Sequence, residues 1–512
     1  LDDSTADDPS TAVVPMDGED EADRSGDRET TATAIVGVRL FDGERVIEDA
    51  TIVMDDGRVA QAGPRASVIV PDHASTVDGA GRTALPGLID AHVHAFGGAQ
   101  VDAARFGVTT LLDMFRTPDD FEQQHAQRGG REPVGRADLY SAGFLATADG
   151  GHGTQYGIDV PLPESAERAQ AWVDDRLAEG SDWIKIVVES GEGWGGDLPS
   201  LDADTVAAVV DAAHARGVLA MAHVGSLAEA ELAVAAGVDG LVHLFGDREV
   251  DAATAAEWAE RGLFVIPTTP VLAGAYGQPG LERLERFEAI EDRLSAEQRR
   301  SLSGAFPNSE NRTDMWPRVQ ASIRTLHAAG VPLLAGSDAP NPGTAQGISL
   351  HDAVIRLHEA GLSPIEALRS ATGTTASVFT MLAGDDPRGC LRPGCRADLL
   401  LVYGNPLDDP TDLLRIAEVW KNGAVVERNL PASPEPAEST GPADPADLLA
   451  DLTHWMPAAD DFMGGASNAS IELVDGALRV NGTLRPGFAF PYAGGMWSAA
   501  DVPMQAVDRR GW

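Results

Sequence analysis

Between residues 86 and 340, short apolar runs alternate with longer amphipathic stretches. The runs Leu88–His94, Val108–Met114, Leu139–Phe144, Trp183–Val188, Leu219–Val224, Gly240–Phe245, Phe264–Thr269 and Val331–Asp338 read as strands. They are near-continuously apolar, as expected of strands buried on both faces. Pro163–Ala178, Asp202–Arg216, Leu227–Ala236, Ala252–Arg261 and Met315–Ala329 carry apolar residues at three- and four-residue spacing and read as helices. Eight strand–helix units predict an α/β fold, a TIM (β/α)8 barrel over 86–389, with its chemistry at the C-terminal ends of the strands.

The flanks follow a different pattern. Ala34–Leu40, Ala50–Met54 and Arg58–Ala62 are short alternating runs, with a hairpin signal at Asp55-Asp-Gly57. Similar runs return at Ala397–Val402 and Ala417–Glu427. Residues 32–85 and 390–429 are therefore expected to build one small β-sandwich, with Trp420 and Lys421 in its last hairpin. Residues 430–447 are rich in Pro, Ala, Glu and Ser and read as a linker. Residues 448–512, with Gly-rich turns and short strands, read as a partial β module. Residues 1–31 are strongly acidic and read as a disordered tail. The stretch Val271–Asn311 is expected to cover the pocket.

Charge narrows the function. With 80 acidic and 38 basic residues the formal net charge is −42, which repels nucleic acid. No apolar run is long enough to span a bilayer, and no signal peptide is visible in the first thirty residues. Cytoplasmic and exported placements both stay open, as does assembly into a homo-oligomer. Cys390 and Cys395 are the only cysteines, and their proximity is read as chance placement rather than a bridge. Lysine occurs only at 185 and 421, so nearly every basic residue is Arg. Retaining Lys185 inside an apolar strand points to its amine, which can lose its proton where a guanidinium cannot. The competing reading is a lysine snorkelling from a strand end.

Candidate chemistry gathers at the strand ends. His92 and His94 lie two apart on the first strand and so point the same way. Lys185, His223, His243 and Asp338 fall in or near the C-terminal halves of later strands. Imidazole is the commonest metal ligand. A neutral Lys185 amine can capture carbon dioxide as a carbamate, an anionic bridge between two cations. The expected arrangement puts one cation on His92, His94 and Asp338 and another on His223 and His243, with carboxylated Lys185 and a hydroxide shared. Asp338 would accept the water proton and pass it to the leaving amine. His214, His351 and His358 lie on predicted helices and read as structural.

From 32 to 428 the chain resembles the amidohydrolase superfamily, in its imidazolonepropionase-like and Xaa-Pro dipeptidase-like branch. The matching stretches include Pro86–His94, Gly107-Val-Thr-Thr110, Trp183-Ile-Lys-Ile186, Ala222-His-Val224, Gly237–His243, Ala335-Gly-Ser-Asp338 and Arg392–Val402. One departure is Cys395, where relatives carry Lys after Pro-Gly. The resemblance implies two divalent cations, zinc being the expected metal, on His92, His94, Lys185, His223, His243 and Asp338. It also implies a substrate role for the loop Gly150-Gly-His-Gly-Thr-Gln-Tyr156, where His152 and Tyr156 would bind a substrate carboxylate. Asp461-Phe-Met-Gly-Gly-Ala-Ser467 and Gly482-Thr-Leu484 resemble the complex I intermediate-associated protein family, which implies a galactose-binding-like module. The reading is a metal-dependent hydrolase of an amide, dipeptide or N-acyl amino acid. The alternatives are a mononuclear cyclic-amide hydrolase or deaminase of imidazolonepropionase type, and a non-catalytic scaffold.

Overall fold

The computed structural model describes residues 32–129, 135–156, 158–194 and 196–429, and four strands beyond them. The expected acidic tail 1–31 and linker 430–447 lie outside the described residues. So does Asp461–Ser467, which carries the C-terminal resemblance.

The two flanks meet in one sheet. Strands β1 (Thr33–Phe41), β2 (Val46–Asp55), β3 (Arg58–Pro64), β4 (Ser75–Asp78) and β5 (Arg82–Pro86) come from the N-terminal side. The central strands are β6 (Leu88–Val93), β7 (Val108–Asp113), β8 (Asp138–Ser141), β9 (Ile184–Val188), β10 (Ala220–Val224), β11 (Gly240–Val242) and β12 (Phe264–Ile266). From the C-terminal side come β13 (Leu399–Tyr403), β14 (Ile416–Lys421) and β15 (Ala424–Val425). The flanking sheet runs β15-β14-β13-β5-β1-β2-β3, with β4 beside β1. Its junction is the antiparallel register Leu400↔Leu85, which joins residues more than 300 positions apart. A core of Ile35, Leu40, Ile52, Leu399, Leu401 and Trp420 holds it together.

The centre of the molecule is a TIM-barrel-like α/β arrangement. β6-β7-β8 and β9-β10-β11-β12 are parallel sheets. All six residues of β6 and of β7 are buried, as the apolar runs predict. The sheets approach each other through the parallel bridge Ala146↔Ile186. The expected eighth strand, Val331–Asp338, forms no continuous ladder, which corrects the prediction. Its groups are divided among neighbours: Val265 donates to Pro332 C=O and accepts from Leu334 N–H, Ala91 N–H donates to Ala335 C=O, the amides of Ser337 and Asp338 donate to His92 C=O, and Ala335 N–H donates to Ser370 C=O. Gly336 permits this close passage, because a Cβ there would sit 2.9 Å from His92 Cβ.

Helices pack outside; four of the five expected lie within two residues of their predicted bounds, while the one expected from Pro163 begins at Ala169, and three of these starts are capped by side chains. Asp202 accepts from Thr205 N–H at Ala203–His214, Ser226 from Glu229 N–H at Leu227–Ala235, and Asp251 from Thr254 N–H at Ala252–Glu260. The stretch after β12 is not a free flap. Gln298 and Ser301 donate to backbone carbonyls of Gln346 and Thr344, so it buttresses the loop following Asp338. Residues 455–459 pair antiparallel with 493–497, and 468–474 with 477–483.

Cys390 and Cys395 form a disulfide, which corrects the expectation of chance placement. The turn through Pro393 and Gly394, closed by Cys395 N–H to Arg392 C=O, brings their Cα atoms to 6.0 Å. That spacing is what a bridge requires. Among the described residues no helix is long and apolar enough to cross a membrane.

Candidate active site

The strand ends deliver their side chains to one place. Four imidazole–imidazole contacts form a continuous row: His94–His92, His92–His243, His243–His223 and His223–His152, with ring centroids 5.4, 4.8, 4.5 and 4.6 Å apart. Asp338 stands at one end. Its Oδ1 faces Nε2 of His92 at 3.0 Å and Nε2 of His94 at 3.1 Å. Glu189 stands at the other end, with Oε2 at 2.8 Å from His223 Nε2 and 3.1 Å from His152 Nδ1. All the side chains proposed as ligands therefore meet, except that Lys185 makes no hydrogen bond there and is linked to His92, His94 and Asp338 only through burial and charge.

The surroundings hold these groups firmly. Asp90, fully buried, accepts from Ser337 Oγ–H at 2.6 Å and from the amides of Ser337 and His92, so it ties the Asp338 loop to β6. Asp113 accepts from Ser141 Oγ–H and from Ala95 N–H just beyond His94. His243 Nδ1 meets Thr268 Oγ1 at 2.6 Å. Asn341 donates to the Asp338 carbonyl and Gln346 to the His94 carbonyl. His243 and Asp338 adopt left-handed backbone conformations, with φ of 74° and 54°. Such conformations in non-glycine residues cluster at functional sites.

Burial sets the protonation states. It pushes His92 down to about 3 and His152 to about 4, and His243 well below its usual value, so these rings are neutral at pH 7. For His94 burial acts the same way, but contact with Asp338 and its negative charge outweigh it and raise the ring. Burial opposes ionising Asp338, yet the neighbouring histidines hold it well below the carboxylate range. Burial brings Lys185 down to about 7 against the pull of Asp338. Burial raises Asp90 to about 7.

The donor set fits cations. Buried groups without an aligned hydrogen bond concentrate here: both ring nitrogens of His92, Nδ1 of His94, Oδ1 of Asp338 and Nζ of Lys185. A folded chain rarely leaves such atoms unsatisfied without a role for them. His92, His243 and Asp338 place ligand atoms within 4.8 Å of one another, as do His152, Glu189 and His223. Neutral imidazoles and carboxylates together suit divalent metals such as zinc.

The helical histidines stay apart. His351 Nε2 meets the Phe106 carbonyl at 2.7 Å, His358 Nδ1 the Leu362 carbonyl, and His214 Nε2 the Asp239 carboxylate. The Tyr156 side chain lies outside the described residues. Sequence reasoning missed Glu189 and Asp90, although a signal existed. In a strand, residues two and four apart share a face. Glu189 thus follows Lys185, and Asp90 precedes His92 and His94, on the same side.

An amidohydrolase family profile matches residues 150–426, just over half of the chain. An uncharacterized protein of Mycobacterium tuberculosis is 28% identical over 350 residues, covering 64% of this chain and 80% of that one. The imidazolonepropionase of Streptomyces coelicolor is 26% identical, covering 74% of this chain and 92% of the relative. Among solved structures, a Xaa-Pro dipeptidase with bound methionine in its active site aligns with a TM-score of 0.62 at 23% identity, covering 78% of this chain and all of that one. The chain belongs to the amidohydrolase family. It is a hydrolase of carbon–nitrogen bonds.

Proposed function

We propose that this enzyme cleaves an amide bond in a dipeptide or an N-acyl amino acid, using two divalent cations. His92, His94 and Asp338 would hold one; His223 and His243 would hold the other, with Lys185 between them as a carbamate. When bound, the cations supply a nucleophilic hydroxide at neutral pH and polarise the scissile carbonyl. The chain's own residues do the rest. Asp338, held ionised by the histidines around it, is the proton acceptor and delivers that proton to the departing amine. Asp90 and Ser337 fix the loop that aims it. His152 lines the substrate side, beside His223.

The observation that carries this reading is Lys185. Its amine is buried, finds no hydrogen-bond partner among the described residues, and sits where burial favours the neutral form. Only a neutral amine reacts with carbon dioxide. Metal content of protein supplied with zinc and bicarbonate tests it: about two per chain is expected, falling to one or fewer in Lys185→Ala. One metal per chain in both proteins would favour the mononuclear reading, a cyclic-amide hydrolase, which the length-spanning likeness to imidazolonepropionase supports.

A further inference from the structure

Glu189 closes the row of rings opposite Asp338, and its contacts single out particular nitrogens. One oxygen, Oε2, takes His223 through Nε2 and His152 through Nδ1. An ionised carboxylate only accepts. With Glu189 ionised, each ring keeps a proton on the nitrogen facing it. In a neutral imidazole the lone pair is then on the other nitrogen. His223 becomes the Nε2–H tautomer with its lone pair on Nδ1. His152 becomes the reverse, with its lone pair on Nε2. Next in the row, His243 is held through its other nitrogen, Nδ1, which meets Thr268 Oγ1. Adjacent rings are thus anchored through opposite nitrogens by different second partners.

We propose that Glu189 is a positioning residue that assigns these nitrogens: it turns His223 to offer Nδ1 to the cation shared with His243, and it makes His152 a hydrogen-bond acceptor toward substrate. This rests on the two-cation reading above. The second half changes the expected specificity. A substrate carboxylate next to His152 would meet a lone pair, with the negative charge of Glu189 one ring behind it. The group that fits is a donor: an amide N–H, an amine or a hydroxyl. Fixing a ligand's unused ring nitrogen on a carboxylate orients the ring and raises its basicity, and losing such a partner costs about 10- to 100-fold in metal affinity.

The test reads tautomers directly. Protein labelled with ¹⁵N-histidine is followed by multiple-bond proton–nitrogen correlation, metal-free and during a zinc titration, with His223→Asn and His152→Asn for assignment. Metal-free wild type should show Nε2–H at His223 and Nδ1–H at His152. Glu189→Gln should keep both, because an amide oxygen still accepts from both rings. Glu189→Leu should release both rings into mixed tautomers and weaken the second zinc about 10- to 100-fold, leaving the first unchanged. Opposite tautomers in wild type overturn the proposal without recourse to any variant. So does an unchanged tautomer pattern in Glu189→Leu. Loss of the second zinc in Glu189→Gln, as complete as in Glu189→Leu, would make Glu189 a ligand and overturn the positioning role. The expected tautomers together with a single zinc per chain would uphold the nitrogen assignment and sink the two-cation reading.

Discussion

The only two lysines of the chain are both buried, in opposite surroundings. Lys421, at the junction of the flanking sheet and the barrel-like region, has Asp138 at 3.0 Å and Asp398 at 2.9 Å. Asp138 in turn pairs with Arg388. Arg396 reaches Asn422 through its Nε, and Asn422 N–H donates to Asp398. Every charge there meets an opposite one. Lys185, inside β9, makes no hydrogen bond among the described residues. A buried amine left unpaired costs stability, and chains retain such groups where they serve a reaction. The junction spends its charges on joining two parts of the fold. The strand-end region leaves Lys185 Nζ and both ring nitrogens of His92 without an aligned hydrogen bond, as donors for a cation.

Substituting both lysines by an apolar residue of similar length should split these roles. Lys185→Met should lower kcat/KM by at least about 10³-fold, the range expected when catalytic groups acting as a unit are broken. Compared metal-free, its thermal midpoint should stay equal to wild type or rise, since an unpaired amine is removed. A marked fall in stability with activity retained would erase the distinction. Lys421→Met should do the converse. Leaving Asp398 without its buried cation, and Asp138 with only Arg388 and the more distant Arg396, should cost about 3–5 kcal/mol in denaturant unfolding. Zinc per folded chain and kcat should remain those of wild type.

The disulfide bears on the junction side only. It closes a short loop, for which chain entropy gives about 2 kcal/mol. Cys390→Ser with Cys395→Ser should therefore lower stability by about that much and leave metal content unchanged. The same loss should follow addition of a reductant to wild type, read as a shift in thermal midpoint.

How far these two regions were legible in the sequence follows from their physics. The strand-end ligands could be read because a strand's alternation and the barrel's geometry convert sequence position into direction. His92, His94, His223, His243 and Asp338 sit at or near the ends of apolar runs, and Lys185 lies inside one. Glu189 and Asp90 obey the same alternation, but their roles depend on partners from other strands, His152 and Ser337, which no local pattern announces. The junction was less legible. Lys421 pairs with Asp138, 283 residues away. Nothing in the spacing of Cys390 and Cys395 says that a Pro-Gly turn will fold one onto the other. Val331–Asp338 looks like a strand because it is apolar, yet its hydrogen bonds are scattered among three neighbours, and only tertiary contacts decide that.

His351 offers the finest test, because it is a buried imidazole outside the row. Its Nε2 rests on the Phe106 carbonyl, and burial lowers it from its usual value to about 4. The folded state therefore binds this proton less readily than the unfolded chain does. Stability is unaffected above about pH 6.5, is lost as pH falls through the window from 6.5 to 4, and changes no further below it. At pH 5.5 the loss from this one group is about 1 kcal/mol. His92, His152 and His243, also lowered by burial, add losses of their own as pH falls, so the contribution must be read as a difference. The stability-against-pH curve of His351→Gln, taken at the same zinc concentration as wild type, should be shallower than wild type between pH 6.5 and 4, whatever its absolute stability. Parallel curves would mean that the Phe106 carbonyl holds His351 equally well in its charged form. His351 would then no longer contrast, as a structural histidine kept neutral by packing, with rings kept neutral for a cation.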